Sequence, residues 1–213
     1  MDNKRNYFRQ ARTEMLPFVP SNAKTILEVG CGEGFFMQGL KAQQEVEAWG
    51  IEPEAVVSEK ASVNFKKIIC STVEDAIHQL PDDYFDCIVF NDVLEHLLHP
   101  DRVLRSLHGK LRAGGCVVAS VPNVRFMPNL YQLIVNKDWK YDPAGGILDE
   151  THFRFFTKKS MIRLFSDAGY DLNGISGINE IRSFKYRMLF LFTLGFFEDA
   201  RYMQFACVAS KAL

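Results

Sequence analysis

Gly30, Gly32 and Gly34 stand at alternate positions in Glu28-Val-Gly-Cys-Gly-Glu-Gly34, the stretch whose chemistry is easiest to read. Glycine lets a backbone turn sharply and pass close to a ligand with no Cβ in the way. Where a helix follows, its first amides face an anionic group. The spacing departs from the dinucleotide fingerprint G-x-G-x-x-G, because Phe35 stands where the third glycine belongs. No Gly-Lys-Ser/Thr follows to complete a phosphate loop. A glycine-rich turn that binds nothing has the same composition, so the loop alone leaves both readings open.

The candidate proton acceptors are His78, His96, His99, His108 and His152. Histidine titrates nearest neutrality of all unperturbed side chains. His78, His99 and His108 fall in polar helix or loop contexts and suit a solvated surface. His96 follows the apolar run 85–90 and suits either a base or a helix cap. His152 lies in Asp149-Glu-Thr-His-Phe-Arg154, where a base and a structural hydrogen bond both fit. Arg154 suits an anionic substrate group or a salt bridge on a rim. Arg12 suits a ligand carboxylate or a solvated helix face.

The elements that must carry these groups alternate along the chain. Residues 25–29 predict a buried strand ended by Gly30, with a helix over 34–43. A second strand over 47–51 and helix over 54–63 follow, then a short strand over 68–70. Residues 85–90 predict the clearest strand, 101–111 a helix, and 116–121 a strand ended by Pro122. Strands apolar along their whole length, separated by helices, imply a doubly wound α/β sheet covered on both faces. Ligands of such sheets bind at the carboxyl ends of the strands, near the switch in strand order. Residues 123–150 predict a lid, Thr157 the N-cap of a helix over 158–168, and Gly169 its C′ residue. Two last strands are expected over 171–178 and 203–210, and an N-terminal helix over 3–16.

In this setting Glu28–Gly34 resembles the first motif, E/D-x-G-x-G-x-G, of the class I S-adenosylmethionine-dependent methyltransferases. Further motifs follow in the family's order. They are Gly50-Ile-Glu-Pro53, Ser71-Thr-Val-Glu-Asp75, Asn91-Asp-Val-Leu-Glu-His-Leu97, and Leu111-Arg-Ala-Gly-Gly115 before Cys116–Val121. The resemblance covers about residues 26–122. Asn123-Val-Arg125 and the segment from Gly146 to Thr157 resemble a bacterial subgroup tied to surface-polysaccharide, glycan or lipid-linked biosynthesis, and more distantly the ubiquinone-pathway O-methyltransferases.

The resemblance implies a Rossmann-like, mostly parallel seven-stranded sheet with an antiparallel last strand. It implies S-adenosylmethionine as cofactor, leaving as S-adenosylhomocysteine. Glu28, Gly30, Cys31, Gly32 and Gly34 would form the loop side of its site, with loop amides facing the methionine portion. Glu52, next to Pro53, would take the ribose hydroxyls, since a carboxylate accepts from two vicinal hydroxyls at once. Thr72 and Val73 would meet the adenine; Thr72 stands where the family often has Asp, with Glu74 or Asp75 as substitutes. Asn91, beside Asp92, would accept from the amino group. His152 and His96 are the expected bases, and Asn123, Arg125 and Arg154 the expected substrate contacts. Asp92, Glu95, His96 and His152 also resemble the metal cluster of small-RNA 2′-O-methyltransferases. The same D-V-L-E-H sequence occurs widely without a metal, and no metal is assigned.

Composition narrows the partners. With Lys plus Arg at 25 and Asp plus Glu at 26, the net charge of -1 lacks the basic excess of a nucleic-acid binder. The expected acceptor is a small molecule, a sugar or a carrier-linked group. Five cysteines, none close to another in sequence, predict a reducing, cytoplasmic setting. The 213 residues read as one domain: a helical cap over 1–24, a cofactor half over 25–122, and a lid and substrate half over 123–213. The very apolar stretch 184–197 suits a buried helix, a homodimer contact or a weak membrane-surface contact. A non-catalytic cofactor-binding module is the competing functional reading.

Overall fold

Apolar runs bounded by glycine or proline become the strands, because a strand buried on both faces needs apolar side chains pointing both ways. In the computed structural model, which describes residues 8–143, 145–183, 186, 188, 193 and 195–211, seven strands form one sheet. They are β1 (Thr25–Val29), β2 (Glu47–Ile51), β3 (Lys67–Ile69), β4 (Phe85–Asn91), β5 (Leu111–Pro122), β6 (Tyr170–Glu180) and β7 (Tyr202–Lys211). The strand order is β3-β2-β1-β4-β5-β7-β6. The ladders joining β1 to β5 are parallel, and β7 runs antiparallel to both β5 and β6. This is the expected architecture.

The helices are α1 (Phe35–Lys41), α2 (Ala55–Ala61), α3 (Val73–Ala76), α4 (Pro100–His108), α5 (Met127–Ile134) and α6 (Lys158–Asp167). Strand alternation divides the core in two. Leu27, Val29, Ile88, Phe90, Val117 and Ala119 face α3, α4 and α6, packing with Leu104, Leu107, Met161 and Phe165. Ile26, Cys87, Val89, Cys116 and Val118 face α1 and α2, packing with Phe36, Met37 and Leu40. Thr157 caps α6 as expected: its Oγ1 accepts from Ser160 N at 3.2 Å while Ser160 Oγ accepts from Thr157 N at 2.8 Å. Gly169 beyond that helix has φ 87°, the left-handed conformation that ends it.

Two elements differ from expectation. β5 begins at Leu111 rather than Cys116, and its pairing with β4 shifts register between Phe85 and Cys87. Gly115 permits this, since a Cβ there would lie 3.0 Å from Phe85 O. At the N-terminus, the described part of the expected helix is a strap over 8–12 followed by a 3₁₀ turn, Thr13–Phe18. Arg12 adopts a left-handed φ of 44°, and the Phe8 carbonyl accepts from Glu33 N at 2.9 Å instead of from a helical amide. Most of 184–197 lies outside the described residues. No helix among the described residues is long and apolar enough to cross a membrane.

Candidate active site

β1 and β4 are neighbours, but the chain leaves β1 for α1 on one face and β4 for α4 on the other. The diverging loops open a crevice at the carboxyl ends of the strands. A cavity of about 820 Å³ occupies it, walled by Glu28–Gly32, Glu52, Pro53, Thr72, Val73, Asn91, Asp92, His96 and His152, among others.

The glycine loop is satisfied from within. Gly30 N and Cys31 N donate to Ile51 O at 2.8 and 3.1 Å, and Glu33 N donates to Phe8 O at 2.9 Å. Gly34 N donates to Cys31 O at 2.9 Å, and Gly32 N to Glu52 Oε2 at 3.0 Å. The expectation that these amides face a ligand is corrected: the loop packs on the end of β2 and under the N-terminal strap, which take every donor. Among the described residues the cavity wall instead carries Glu14, Glu28, Glu52, Glu54, Glu74, Asp92, Glu95 and Asp149, against Arg12 alone of arginine and lysine. A cleft of that sign repels a pyrophosphate and attracts a cation.

Glu28 shows where a cation fits. The side chain is 2% exposed, and its Oε1 accepts from Asn91 Nδ2 at 3.4 Å. Glu28 Oε2 and Asn91 Oδ1 are buried with no hydrogen-bond partner among the described residues. Each orphaned acceptor costs on the order of 1–3 kcal/mol, so a donor from a ligand has two places to bind. Burial pushes the Glu28 carboxyl up to about 8. Glu52 accepts from Gly32 N at 3.0 Å and Glu54 N at 3.1 Å, and each oxygen retains a lone pair for a hydroxyl. Burial raises its pKa as well. Thr72 caps α3, with its hydroxyl donating to Asp75 Oδ2 at 3.1 Å. Of Glu74 and Asp75, it is Glu74 that reaches the cavity wall.

Across the cavity, a short 3₁₀ turn after β4 meets the lid. Phe153 N and Arg154 N both donate to Glu95 O, at 2.9 and 3.0 Å, so the lid is stitched to the turn through backbone. His152 and His96 come to 4.7 Å between ring centres. His152 Nδ1 lies 3.0 Å from Ile147 O; a carbonyl only accepts, so Nδ1 carries the proton and Nε2 is the basic nitrogen. His96 Nδ1 lies 3.2 Å from Thr151 O, which assigns it the same tautomer. Burial lowers the pKa of both imidazoles, which favours their neutral forms. His152 Nε2 faces Glu95 Oε1 at 4.0 Å. Glu95 is 1% exposed, neither carboxylate oxygen has a hydrogen-bond partner among the described residues, and burial pushes its carboxyl up to about 8.

A family profile described as a methyltransferase domain matches residues 2–173 of the chain. The chain belongs to the S-adenosylmethionine-dependent methyltransferases. Among its relatives, a ubiquinone biosynthesis O-methyltransferase of Pseudomonas paraeruginosa is 30% identical over 167 residues, covering 73% of this chain and 68% of its own. One of the same name from Vibrio atlanticus is 28% identical over 162 residues, covering 73% and 67%. The crystal structure of a SAM-dependent methyltransferase from Archaeoglobus fulgidus matches with a TM-score of 0.69 at 17% identity, covering 98% of each chain. At that identity the likeness shows the fold.

The cavity gathers most of the expected site residues on its wall and leaves four off it. Gly34, at φ 80°, lies off the cavity wall; a Cβ there would meet Asn64 Nδ2 and the Phe65 ring at 3.1 Å, so this glycine serves the packing of α1. Asn123 is fully buried, and its Nδ2 donates to Asp199 O and Tyr202 O at 2.8 and 2.9 Å, tying β5 to the start of β7. Arg125 pairs with Asp199 at 2.7 Å, and Arg154 Nε donates to Leu98 O at 3.2 Å. None of these three side chains lines the cavity.

Arg12 takes neither of its expected roles, and it brings in residues that were not expected. Its side chain is 9% exposed, pairs with Asp92, and donates to Ser120 Oγ at 3.0 Å. Gln204 Nε2 donates to Asp92 Oδ2 at 2.7 Å, and Asn179 Nδ2 to Gln204 Oε1 at 2.6 Å. Because Asp92 is held by this network, it does not join Glu95, His96 and His152. Those three place one ligand atom each within 4.8 Å of one another, a nitrogen- and oxygen-donor set that could hold a divalent cation. Single-residue patterns carried no signal for Gln204 or Asn179. A left-handed φ at Arg12, Asp92 and Asn179 marks the network only once the backbone is known.

Proposed function

We propose that this methyltransferase methylates a hydroxyl oxygen of a small or carrier-linked acceptor, with His152 as the base. The observation that carries the reading is the fixed tautomer of His152, whose Nε2 faces the cavity 4.0 Å from Glu95. The names of the relatives, O-methyltransferases of ubiquinone biosynthesis, support oxygen as the methylated atom. The cofactor, when bound, supplies a methyl on a sulfonium, which is a good leaving group. In this reading Glu28 Oε2 and Asn91 Oδ1 accept from its ammonium, and Glu52 accepts from ribose hydroxyls. The lid, held at Glu95 O, excludes water and fixes the acceptor in line, and proximity of this kind is worth up to ~7–11 kcal/mol. Nε2 of His152 takes the hydroxyl proton as the oxygen attacks. The acidic cavity supports a neutral or cationic acceptor over a polyanion such as nucleic acid, and the free cysteines support a cytoplasmic setting.

The test is S-adenosylhomocysteine release with a panel of phenols, alcohols and amines. His152→Asn is expected to lower kcat on hydroxyl acceptors by about 10²–10⁴-fold with cofactor affinity unchanged. Undiminished kcat in that variant, or turnover with amines only, would refute the assignment. The oxygens of Glu95, without a hydrogen-bond partner among the described residues, favour a second reading, in which a divalent cation held with His96 and His152 lends Lewis acidity to the acceptor oxygen. Activity abolished by a chelator and restored by Mn²⁺ would select it.

A further inference from the structure

We infer that Asp149 and Thr151 are positioning residues for methyl transfer, a hydrogen-bonded chain that sets the His96 ring against the base, His152. Asp149 is 8% exposed, and its Oδ1 accepts twice from Thr151, from N at 2.8 Å and from Oγ1 at 2.7 Å. The first bond is the local turn that an Asp side chain makes with the amide two residues on. The second is not part of that turn; it fixes the direction of the hydroxyl. A carboxylate only accepts, so the single hydroxyl proton of Thr151 lies toward Asp149. Thr151 Oγ1 then meets its other neighbour, His96 Nδ1 at 3.1 Å, as an acceptor, across 55 residues of chain. Thr151 O lies 3.2 Å from the same nitrogen. Two accepting oxygens of one residue therefore share the Nδ1 proton of His96, and Nε2 is the accepting nitrogen of that ring.

His96, Asp149 and His152 line the cavity, whereas Thr151 does not, so Thr151 acts on the reaction through His96. The His96 ring stands nearly edge-on to His152, with 4.7 Å between centres and 69° between planes. Aromatic rings prefer that arrangement, so a His96 held at Nδ1 limits how far the His152 ring can swing. Ile147 O fixes the tautomer of His152 at 3.0 Å, but one bond at Nδ1 does not by itself fix the plane of a ring. Asp149 serves both histidines: its carbonyl accepts from His152 N at 3.1 Å, while its side chain reaches His96 through Thr151. A base must keep its nitrogen on the acceptor's hydroxyl, and an offset of about 1 Å can cost on the order of 100-fold in rate. The inference rests on the proposed reading in taking His152 as the base.

Nitrogen chemical shifts of the histidines in the full chain report which ring nitrogen carries the proton. Wild-type His96 is expected in the Nδ1–H form. Asp149→Ala lets the Thr151 hydroxyl turn and donate, and Thr151→Val removes it. The Nε2–H form of His96 should therefore grow in both variants while His152 keeps its proton on Nδ1. With the phenols and alcohols of the panel, both variants should lose about 10- to 100-fold in kcat, with the KM for S-adenosylmethionine unchanged. Thr151→Ser and Asp149→Asn keep the hydroxyl and its acceptor, and should restore the tautomer and most of kcat. Wild-type His96 protonated at Nε2, or kcat unchanged in Asp149→Ala and Thr151→Val, would overturn the inference. So would a change of tautomer at His152 in step with His96, which marks a lid that has merely loosened. The two readings fail separately, because undiminished kcat in His152→Asn refutes the base while the His96 shifts still test the chain.

Discussion

Replacing Glu28 with Gln keeps the shape of the side chain and its bond from Asn91 but removes a titrating group. Burial places the Glu28 carboxyl at about 8, so at pH 7 it is ionised in only about a tenth of molecules. An ammonium accepted by Glu28 Oε2 and Asn91 Oδ1 favours the carboxylate, so cofactor binding at pH 7 should expel close to one proton. Calorimetric titrations in buffers of different ionisation enthalpy read that number directly as a slope. The wild type should release more than half a proton, and Glu28→Gln about none. The same group sets a pH dependence of stability. Its folded pKa lies above its ordinary value of 4.5, so the contribution is full below about pH 4.5 and is lost as pH rises through about 8. The difference of about 3.5 pH units corresponds to roughly 5 kcal/mol. Thermal melts should accordingly show Glu28→Gln gaining on the wild type between pH 5 and pH 9. An equal proton release in both proteins, or none in the wild type, would refute the placement of the ammonium.

Two further outcomes follow from contacts around the cavity. Gly32→Val should loosen the N-terminal strap, because a Cβ there would lie 2.7 Å from the Phe8 carbonyl on a backbone with φ 54°. Limited proteolysis should then cut near residue 12 faster than in the wild type, and an unchanged cleavage pattern would contradict the strap. Arg12→Met leaves Asp92 without its ion pair partner. Breaking a buried pair costs about 3–5 kcal/mol, and with Asp92 24% exposed the loss in chemical denaturation should fall below that range but stay above about 1 kcal/mol. A smaller loss would show that Ser120 and Gln204 suffice to hold Asp92.

The strands were legible because a sheet covered on both faces demands continuous apolar runs, and Gly30, Pro122 and their like mark where those runs stop. The carboxyl-end crevice followed from the alternation of strand and helix, which puts the glycine loop, Glu52 and Asn91 at strand ends, and the resemblance to the family named those residues and the two histidines as candidates. What each side chain does there was decided by partners far away in the chain. Gly32 and Glu33 spend their amides on Glu52 and Phe8, which turns a loop that looks built for an anion into the wall of an acidic cavity. Asn123 and Arg125, polar and next to the site in sequence, are claimed by Asp199 and Tyr202 across the β5–β7 seam. His152 reaches Glu95 because the lid folds back onto Glu95 O, a contact spanning more than 50 residues of chain. Periodicity and spacing are local properties and determine the elements. Hydrogen-bond satisfaction is a property of the packed whole, since a buried donor takes whichever acceptor the tertiary structure brings to it.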